Sequence, residues 1–329
     1  MNEGRCIKCG SCLRACPVLN DPAGSAFPGP RTTAVDAPRF PERLRIGNAA
    51  FMCTMCHACE WACPSSITLT RSMSRLRDEM AEVTVPLPGH QRMRESVRCS
   101  GRTVYTDFRD WREKGARVLY FPGCIGLGRL PGMVRATSRL LDALGIQHDI
   151  SSKALCCGSP LLKVGAREEA EMLRQHNAGL FSRYDLVITS CPGCTYQLRE
   201  VYGVHVRHVV ELLEGKDLRS EAEGSWAVQV PCHLNRGVSP WAAEGMVRAL
   251  ERAGTVIAHI PEEGSCCGGG GGMLSGFPAT ASSIARSKAV SYRKAEVRGV
   301  ITACPFCALN LQREGLSVLD ISEAIRPRE

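Results

Sequence analysis

The spacing of the cysteines constrains this chain more than any other feature. Nineteen of its 329 residues are cysteine, and two C-x2-C-x2-C-x3-C-P runs occupy the first part of the chain. The first run contains Cys6, Cys9, Cys12 and Cys16, and the second contains Cys53, Cys56, Cys59 and Cys63. In such a run three thiolates reach one iron–sulfur cluster, while the fourth reaches a neighbouring cluster.

This spacing is the signature of bacterial two-cluster ferredoxins, so we expect two cubane [4Fe-4S] clusters in this region. The expected ligands of the first cluster are Cys6, Cys9, Cys12 and Cys63. The expected ligands of the second cluster are Cys53, Cys56, Cys59 and Cys16. The alternative is a pair of structural zinc sites, although zinc prefers paired C-x2-C knuckles over four-cysteine runs that end in Cys-Pro.

The sequence around the two runs carries a wider resemblance. A Gly-Pro segment lies between them (FPGPRTTAVDAPRF, residues 27–40), and a polar helix is predicted after them (ITLTRSMSRLRDEM, residues 67–80). Residues 1–80 thus resemble the helical ferredoxin domain of succinate dehydrogenase and fumarate reductase iron–sulfur subunits. We expect no counterpart here of the [2Fe-2S] domain that precedes it in those subunits.

Ten of the other eleven cysteines form two equivalent sets. A C…CCG…C-P-x-C pattern occurs twice, about 110 residues apart, which indicates an internal duplication. The first set is Cys124, Cys156, Cys157, Cys191 and Cys194, and the second is Cys232, Cys266, Cys267, Cys304 and Cys307.

The residues around these cysteines repeat as well. RVLYFPGC (117–124) corresponds to WAVQVPC (226–232), and DLVITSCPGC (185–194) corresponds to GVITACPFC (299–307). Each is an apolar strand that leads into a cysteine, and Pro at the first position of the next helix is favoured. The N-terminus of a helix stabilises a thiolate. Each half is therefore predicted to be an α/β unit with its cysteines at the carboxyl ends of strands, where such sheets place ligands.

The stretch CCGGGGGMLSG (266–276) allows three interpretations, namely a phosphate loop, a linker or a metal loop. Neither G-x-G-x-x-G nor G-x4-G-K-[ST] fits its register. The first three residues of this stretch, CCG, recur at Cys156, Cys157 and Gly158 without the extra glycines, and this recurrence disfavours a linker. We therefore interpret it as a metal loop, and we expect residues 269–272 to let the chain pass close to a bulky cluster.

Residues 116–329 resemble the CCG-domain family, which includes heterodisulfide reductase catalytic subunits, thiol:fumarate reductase and the iron–sulfur subunits of glycolate and lactate oxidases. The resemblance implies that each five-cysteine set holds one noncubane [4Fe-4S] cluster and that these ten cysteines are catalytic. It implies reduction of a disulfide of the coenzyme M–coenzyme B type, in which each cluster takes one sulfur. The completeness of both sets favours this catalytic function.

The alternative is an electron-transfer subunit of an FAD-linked dehydrogenase that passes electrons to a quinone or thiol pool. The chain carries no flavin or nicotinamide fingerprint, so electrons are expected from a partner: a flavoprotein, a hydrogenase-linked subunit or a membrane cytochrome b. The other expected partner is a small disulfide or thiol substrate.

Composition excludes other classes of protein. The formal net charge is +8, but the basic residues are scattered, aromatic residues make up only 5 % of the chain, and no nucleic-acid-binding motif is found. No run of eighteen apolar residues and no signal peptide is seen. We expect a cytoplasmic protein, peripheral to a membrane only through a partner, in which the cysteines bind metal and do not form disulfides.

The predicted fold is mixed: a small, mainly α-helical two-cluster ferredoxin domain followed by two tandem α/β CCG domains related by internal duplication. The predicted boundaries are 1–84 for the ferredoxin domain, 85–115 for a linker or docking segment, and 116–222 and 223–329 for the CCG domains. Two further residues, His233 and Arg236, are candidates either for substrate binding or for support of the neighbouring cysteine. Cys99 belongs to neither pattern and is interpreted as an ordinary thiol.

Overall fold

The computed structural model describes residues 2–39, 45–108, 111, 113–261 and 264–328. Its first part is built from short helices and turns, and no strand occurs among the described residues before Val118. The helices of this part are α1 (Ser11–Arg14), α2 (Ala58–Trp61) and α3 (Leu69–Val83). The mainly helical character predicted for the first domain is confirmed.

Helix α3 is amphipathic, because its buried side chains recur at helical spacing: Leu69, Met73, Leu76 and Arg77. Within residues 85–115, expected to link the domains, helix α4 spans Pro88–Ser100. It begins with Pro at its first position and ends at Gly101, whose φ of 69° closes the helix. His90 and Val97 face inward, so this segment packs against its neighbours.

The first α/β unit has a three-stranded parallel sheet in the order β1-β2-β3. Its strands are β1 (Val118–Phe121), β2 (Leu186–Thr189) and β3 (Val206–His208). Its helices are α5 (Gly123–Arg129), α6 (Pro131–Ala143), α7 (Ser159–Leu162), α8 (Arg167–Phe181) and α9 (Pro192–Tyr196). An isolated parallel bridge between Leu119 and Asp149 lies on the free side of β1.

After a short strand β4 (Leu218–Ser220), the second unit has a four-stranded parallel sheet in the order β6-β5-β7-β8. Its strands are β5 (Ser225–Gln229), β6 (Val256–Ala258), β7 (Val300–Thr302) and β8 (Val318–Asp320). Its helices are α10 (Pro240–Arg252), α11 (Met273–Gly276), α12 (Pro278–Lys294), α13 (Pro305–Arg313) and α14 (Ile321–Ala324). Strand β6 corresponds to the Asp149 bridge of the first unit, so the topology repeats, as the cysteine pattern predicts.

The two units share one apolar core. Tyr120, Val134 and Ile188 of the first unit belong to the same buried cluster as Val228 and Ile301 of the second. Strand β4 pairs in antiparallel fashion with β9 (Ile325–Pro327), near the end of the chain. No helix in the described part of the chain has both the length and the apolar character needed to cross a membrane.

Candidate iron–sulfur sites

The thiols of the first part of the chain form two groups, and each group draws on both cysteine runs. Cys12 lies near Cys6, Cys9 and Cys63. The other group brings Cys16 and Cys59 near Cys53 and Cys56. The fourth cysteine of each run therefore lies with the first three cysteines of the other run.

Local backbone conformation explains this exchange. Helices α1 and α2 each follow a residue with a left-handed backbone, Gly10 (φ 78°) and His57 (φ 61°), and the two helices contact each other. The chain thus turns tightly at its first three thiols. The next turn then directs the fourth thiol toward the other group. Glycine adopts this conformation without strain, whereas His57 does so at a cost.

The two groups differ in depth. In the first group Cys9 is exposed, and Cys6, Cys12 and Cys63 are half-buried. In the second group, burial raises the pKa of Cys16 to about 12 and that of Cys53 to about 11. These buried thiols are protonated at neutral pH unless a metal replaces the proton.

The five cysteines of each α/β unit come from two strand ends and from the CCG turn. In the first unit Cys124 follows β1, Cys191 caps helix α9 after β2, and Cys194 lies in the first turn of that helix. The Sγ atoms of Cys194 and Cys157 are 3.4 Å apart. Gly158 turns the chain directly after the adjacent cysteines, with a φ of 78°.

The second unit repeats this arrangement. Cys304 caps helix α13, Cys307 lies in its first turn, and Pro305 occupies the first helical position. Gly268 has a φ of 82°, like Gly158, so both CCG stretches make the same turn. The strand–Cys–Pro–helix prediction is confirmed in both units.

The two five-cysteine sets meet at the centre of the molecule. The thiols of Cys191 and Cys304 lie within hydrogen-bonding reach of each other. Hydrogen bonds with Cys194 and then with Cys304 lower the pKa of Cys191, and the contact with Cys191 raises the pKa of Cys304. Both sets open into one cavity of about 810 Å³. Nine of the ten thiols line it: Cys124, Cys156, Cys157, Cys191, Cys194, Cys232, Cys267, Cys304 and Cys307.

The cavity wall is positively charged. Arg92, Arg129, Lys163 and Arg313 line it, and none of its described lining residues is Asp or Glu. Lys163 Nζ lies 3.2 Å from His233 Nε2, and burial lowers the pKa of both groups. Sequence reasoning missed the four basic residues because they come from four separate helices or helix ends and share no motif.

The second ferredoxin thiol group adjoins the second five-cysteine set. Cys56 packs against Cys232 and Cys266 in one buried cluster. At Gly270 an added Cβ would lie 2.8 Å from the carbonyl oxygen of Thr54, and at Gly271 it would collide with the Cys53 carbonyl. The glycine run therefore lets its loop approach the ferredoxin thiol loop, a contact that the sequence did not reveal.

The structure places the other candidate residues as follows. His233 lines the cavity next to Cys232, with its Nδ1 3.5 Å from the Cys232 Sγ atom. Arg236 donates hydrogen bonds to the carbonyls of Cys56 and Gly264, so it joins the ferredoxin loop to the second α/β unit. Cys99 is exposed on α4.

These groups fit iron–sulfur clusters chemically. Thiolates are the protein ligands that such clusters use. Among the described residues, no three His, Cys, Asp or Glu side chains are arranged around a single ion. Gly123 leaves space beside the cysteines, since a Cβ there would approach the Cys194 Sγ atom to 3.0 Å.

Comparison with protein families assigns the same regions. Residues 118–199 and 226–312 each match the cysteine-rich domain family known as CCG. Residues 4–67 match the 4Fe-4S dicluster domain family. The two families together cover both cysteine runs and both five-cysteine sets.

Individual relatives span nearly the whole chain. One component of the fumarate reductase (CoM/CoB) of Methanothermobacter marburgensis is 30 % identical over 97 % of this chain and 71 % of its own length. One component of the dihydromethanophenazine:CoB–CoM heterodisulfide reductase of Methanosarcina acetivorans is 26 % identical over 94 % of this chain and 88 % of its own. A crystal structure of a hypothetical protein from Helicobacter pylori shares the fold, with a TM-score of 0.58 and 8 % identity over 90 % of this chain and 67 % of its own.

Proposed function

The chain belongs to the iron–sulfur protein family built on paired cysteine-rich CCG domains, and from this premise we propose that it is an oxidoreductase subunit that reduces a disulfide. In the proposed reaction a disulfide accepts two electrons and two protons, its S–S bond breaks, and two thiols leave. The electrons come from a reduced electron-donor subunit.

One observation carries this proposal: both five-cysteine sets are complete, and they open into the same cavity. Reduction of a disulfide needs two electrons. Two metal sites that face the same cavity allow each sulfur atom of the disulfide to bind at one site. The basic side chains of the wall favour a substrate with negatively charged groups. A disulfide of the coenzyme M–coenzyme B type meets both requirements.

We propose ligand sets that follow the spatial groups. Two cubane [4Fe-4S] clusters are assigned to Cys6, Cys9, Cys12 and Cys63, and to Cys53, Cys56, Cys59 and Cys16. Two noncubane [4Fe-4S] clusters are assigned to Cys124, Cys156, Cys157, Cys191 and Cys194, and to Cys232, Cys266, Cys267, Cys304 and Cys307. When bound, the clusters supply one-electron transfer along this row of sites. The proposed boundaries remain 1–84, 85–115, 116–222 and 223–329.

We place the docking site of the electron donor at the exposed ferredoxin thiol group. Cys9 is exposed, and Ile7 beside it is 68 % exposed. Arg5 and Lys8 are also exposed on this loop. An acidic surface on a flavoprotein, a hydrogenase-linked subunit or a membrane cytochrome b complements this apolar and basic face.

The test is reduction of a disulfide by the complete chain, purified without oxygen. Four clusters correspond to about 16 iron atoms per chain. With reduced viologen as electron donor, we expect two thiols to form for every two electrons consumed. Cys124→Ser should abolish thiol formation, whereas Cys99→Ser, a change in an exposed thiol outside all four groups, should leave it unchanged. Fully loaded protein that consumes no disulfide would contradict the proposal.

A second candidate function is electron transfer within an FAD-linked dehydrogenase, of the thiol:fumarate reductase or glycolate oxidase type. The similarity to a fumarate reductase component favours it. In that case the loaded chain would exchange electrons with a flavoprotein partner and a quinone or thiol pool, yet cleave no disulfide by itself. The same viologen assay distinguishes the two functions.

A further inference from the structure

Arg77 is a fully buried arginine at the junction of three parts of the molecule. Its side chain projects from α3 and is 0 % exposed. Nε donates to the Ala50 carbonyl (3.0 Å) and Nη2 to the Cys53 carbonyl (2.6 Å). Nη1 donates to the carbonyls of Lys163 (2.9 Å) and Gly271 (3.0 Å).

All four of these partners are neutral backbone carbonyls. The adjacent Asp78 is paired with Arg167. The other charged or titratable neighbours are His90 and Lys163, which are both basic, and the Cys53 thiol. The Phe51 ring packs beside the guanidinium, and the Arg77 Cζ atom lies 5.6 Å from the centroid of this ring.

A buried positive charge is costly unless a negative charge lies close to it. Burial lowers the pKa of Arg77 to about 10, so the guanidinium still carries its charge at neutral pH. Cys53 is a ligand in the proposed second cubane set, and a cluster bound by four thiolates carries net negative charge. Asp78, which is also paired with Arg167, supplies part of the compensation for Arg77, and such a cluster supplies more of it.

We propose that Arg77 is a positioning residue that raises the reduction potential of the cluster held by Cys16, Cys53, Cys56 and Cys59. This inference rests on the ligand set of the proposed function. Reduction adds one negative charge to the cluster, and a fixed positive charge behind the Cys53 carbonyl stabilises that reduced form. Lys163 and Gly271 line the cavity, so the contacts of Arg77 with their carbonyls place its charge between the ferredoxin domain and the cavity.

The experiment is a redox titration of the complete, iron-loaded chain, monitored by electron paramagnetic resonance. Arg77→Gln should lower the midpoint potential of the buried cubane by at least the 59 mV that corresponds to a tenfold change in its reduction equilibrium. Arg77→Lys keeps the charge and should keep the potential within that interval. Arg71→Gln, on the exposed face of the same helix, removes an equal charge and should leave the potential unchanged.

The outcomes separate charge from packing. A loaded Arg77→Gln protein with the wild-type potential would overturn the proposal, and so would equal shifts in the Gln and Lys variants. If Arg77→Gln fails to load its cluster, Arg77→Lys decides: wild-type potential supports the proposal, and failure to load assigns Arg77 a purely structural role. Since the titration uses no disulfide, its result is independent of whether the chain proves to be a disulfide reductase.

Discussion

Gly271 combines a left-handed backbone with a close neighbour. Its φ is 65°, and a Cβ at this position would collide with the Cys53 carbonyl and its surroundings. Gly203 has almost the same φ, 66°, but a Cβ there would meet no atom within 4 Å. A comparison of Gly203 with Gly271 therefore distinguishes the cost of backbone strain from the cost of a collision with a neighbouring residue.

We predict that Gly203→Ala lowers the free energy of unfolding by about 1 kcal/mol, the usual cost of an alanine in this conformation. Gly271→Ala should cost about 3 kcal/mol or more, because the collision adds to the same strain. Anaerobic thermal unfolding of both variants measures the difference. Equal losses would show that the loop does not need its close contact with Cys53.

Asp320 is a buried carboxyl group with one unpaired oxygen. It caps α14, and its Oδ1 accepts from the Ser322 amide (2.9 Å) and hydroxyl (2.6 Å), while Oδ2 has no hydrogen-bond partner in the structure. Burial raises the pKa of Asp320 to about 7. Since this exceeds the ordinary value of 3.8, the protonated form favours the fold, and that stability is lost as the pH rises from about 4 to 7.

Asp320→Asn should therefore stabilise the protein at pH 8, by on the order of 1 kcal/mol, with a smaller gain at pH 5. Asparagine keeps the cap and removes the titration. Apparent melting temperatures at the two pH values measure this effect. A gain that is equal at both pH values would exclude ionisation of Asp320 as its cause.

At the scale of elements, helix α4 is held to α8 by a buried carboxylate. Glu169 on α8 is 4 % exposed, accepts a hydrogen bond from Arg94 Nε (2.9 Å) and forms an ion pair with Arg98 Nη2 (2.7 Å), both on α4. Burial acts to raise the pKa of Glu169, but its hydrogen bonds and the two arginines outweigh this effect and hold the pKa below its ordinary value. This ion pair helps to fix α4, which contributes Arg92 to the cavity wall.

Glu169→Gln should lower the free energy of unfolding by about 1–3 kcal/mol, because two arginines lose their charged partner. The matched control is Glu171→Gln on the same helix, where an exposed pair with Arg174 is lost. The control should cost less than about 0.5 kcal/mol. Thermal unfolding of the two variants provides the comparison, and similar losses would contradict a special role for Glu169.

At the scale of the whole molecule, the two α/β units depend on each other. Their shared core contains Tyr120 and Ile188 from one unit and Trp226 and Ile321 from the other. Strand β4, at the end of the first half, pairs with β9, near the end of the second half. Separation of the halves would expose one side of this core to water.

We predict that a fragment of residues 116–222 gives no cooperative thermal transition, whereas residues 116–329 do. Circular dichroism of both fragments, without oxygen, is the measurement. A cooperative transition of the shorter fragment would show that the first half forms its own sufficient core.

The cysteine pattern alone was enough to predict the ligand chemistry and the local geometry of the sites. The cysteine spacings predicted both thiol groups and both five-cysteine sets, and the strand–Cys–Pro order predicted helices that begin directly after Cys191 and Cys304. These features are local, because the backbone conformation of a few consecutive residues decides where the next thiol points. The duplication was equally visible, since the cysteine pattern and the segments beside it recur.

The way in which the sites are joined could not be predicted, because it depends on the packing of separate parts of the chain. Arg77 lies in a stretch whose pattern predicts a polar helix, yet it is fully buried, because distant loops close around it, one of them carrying Gly271, 194 residues further along the chain. The contacts of Cys191 with Cys304 and of Cys56 with Cys266 likewise arise from the packing of separate units. No periodicity in a sequence encodes such contacts, because they depend on which faces of the folded units bury the most surface together.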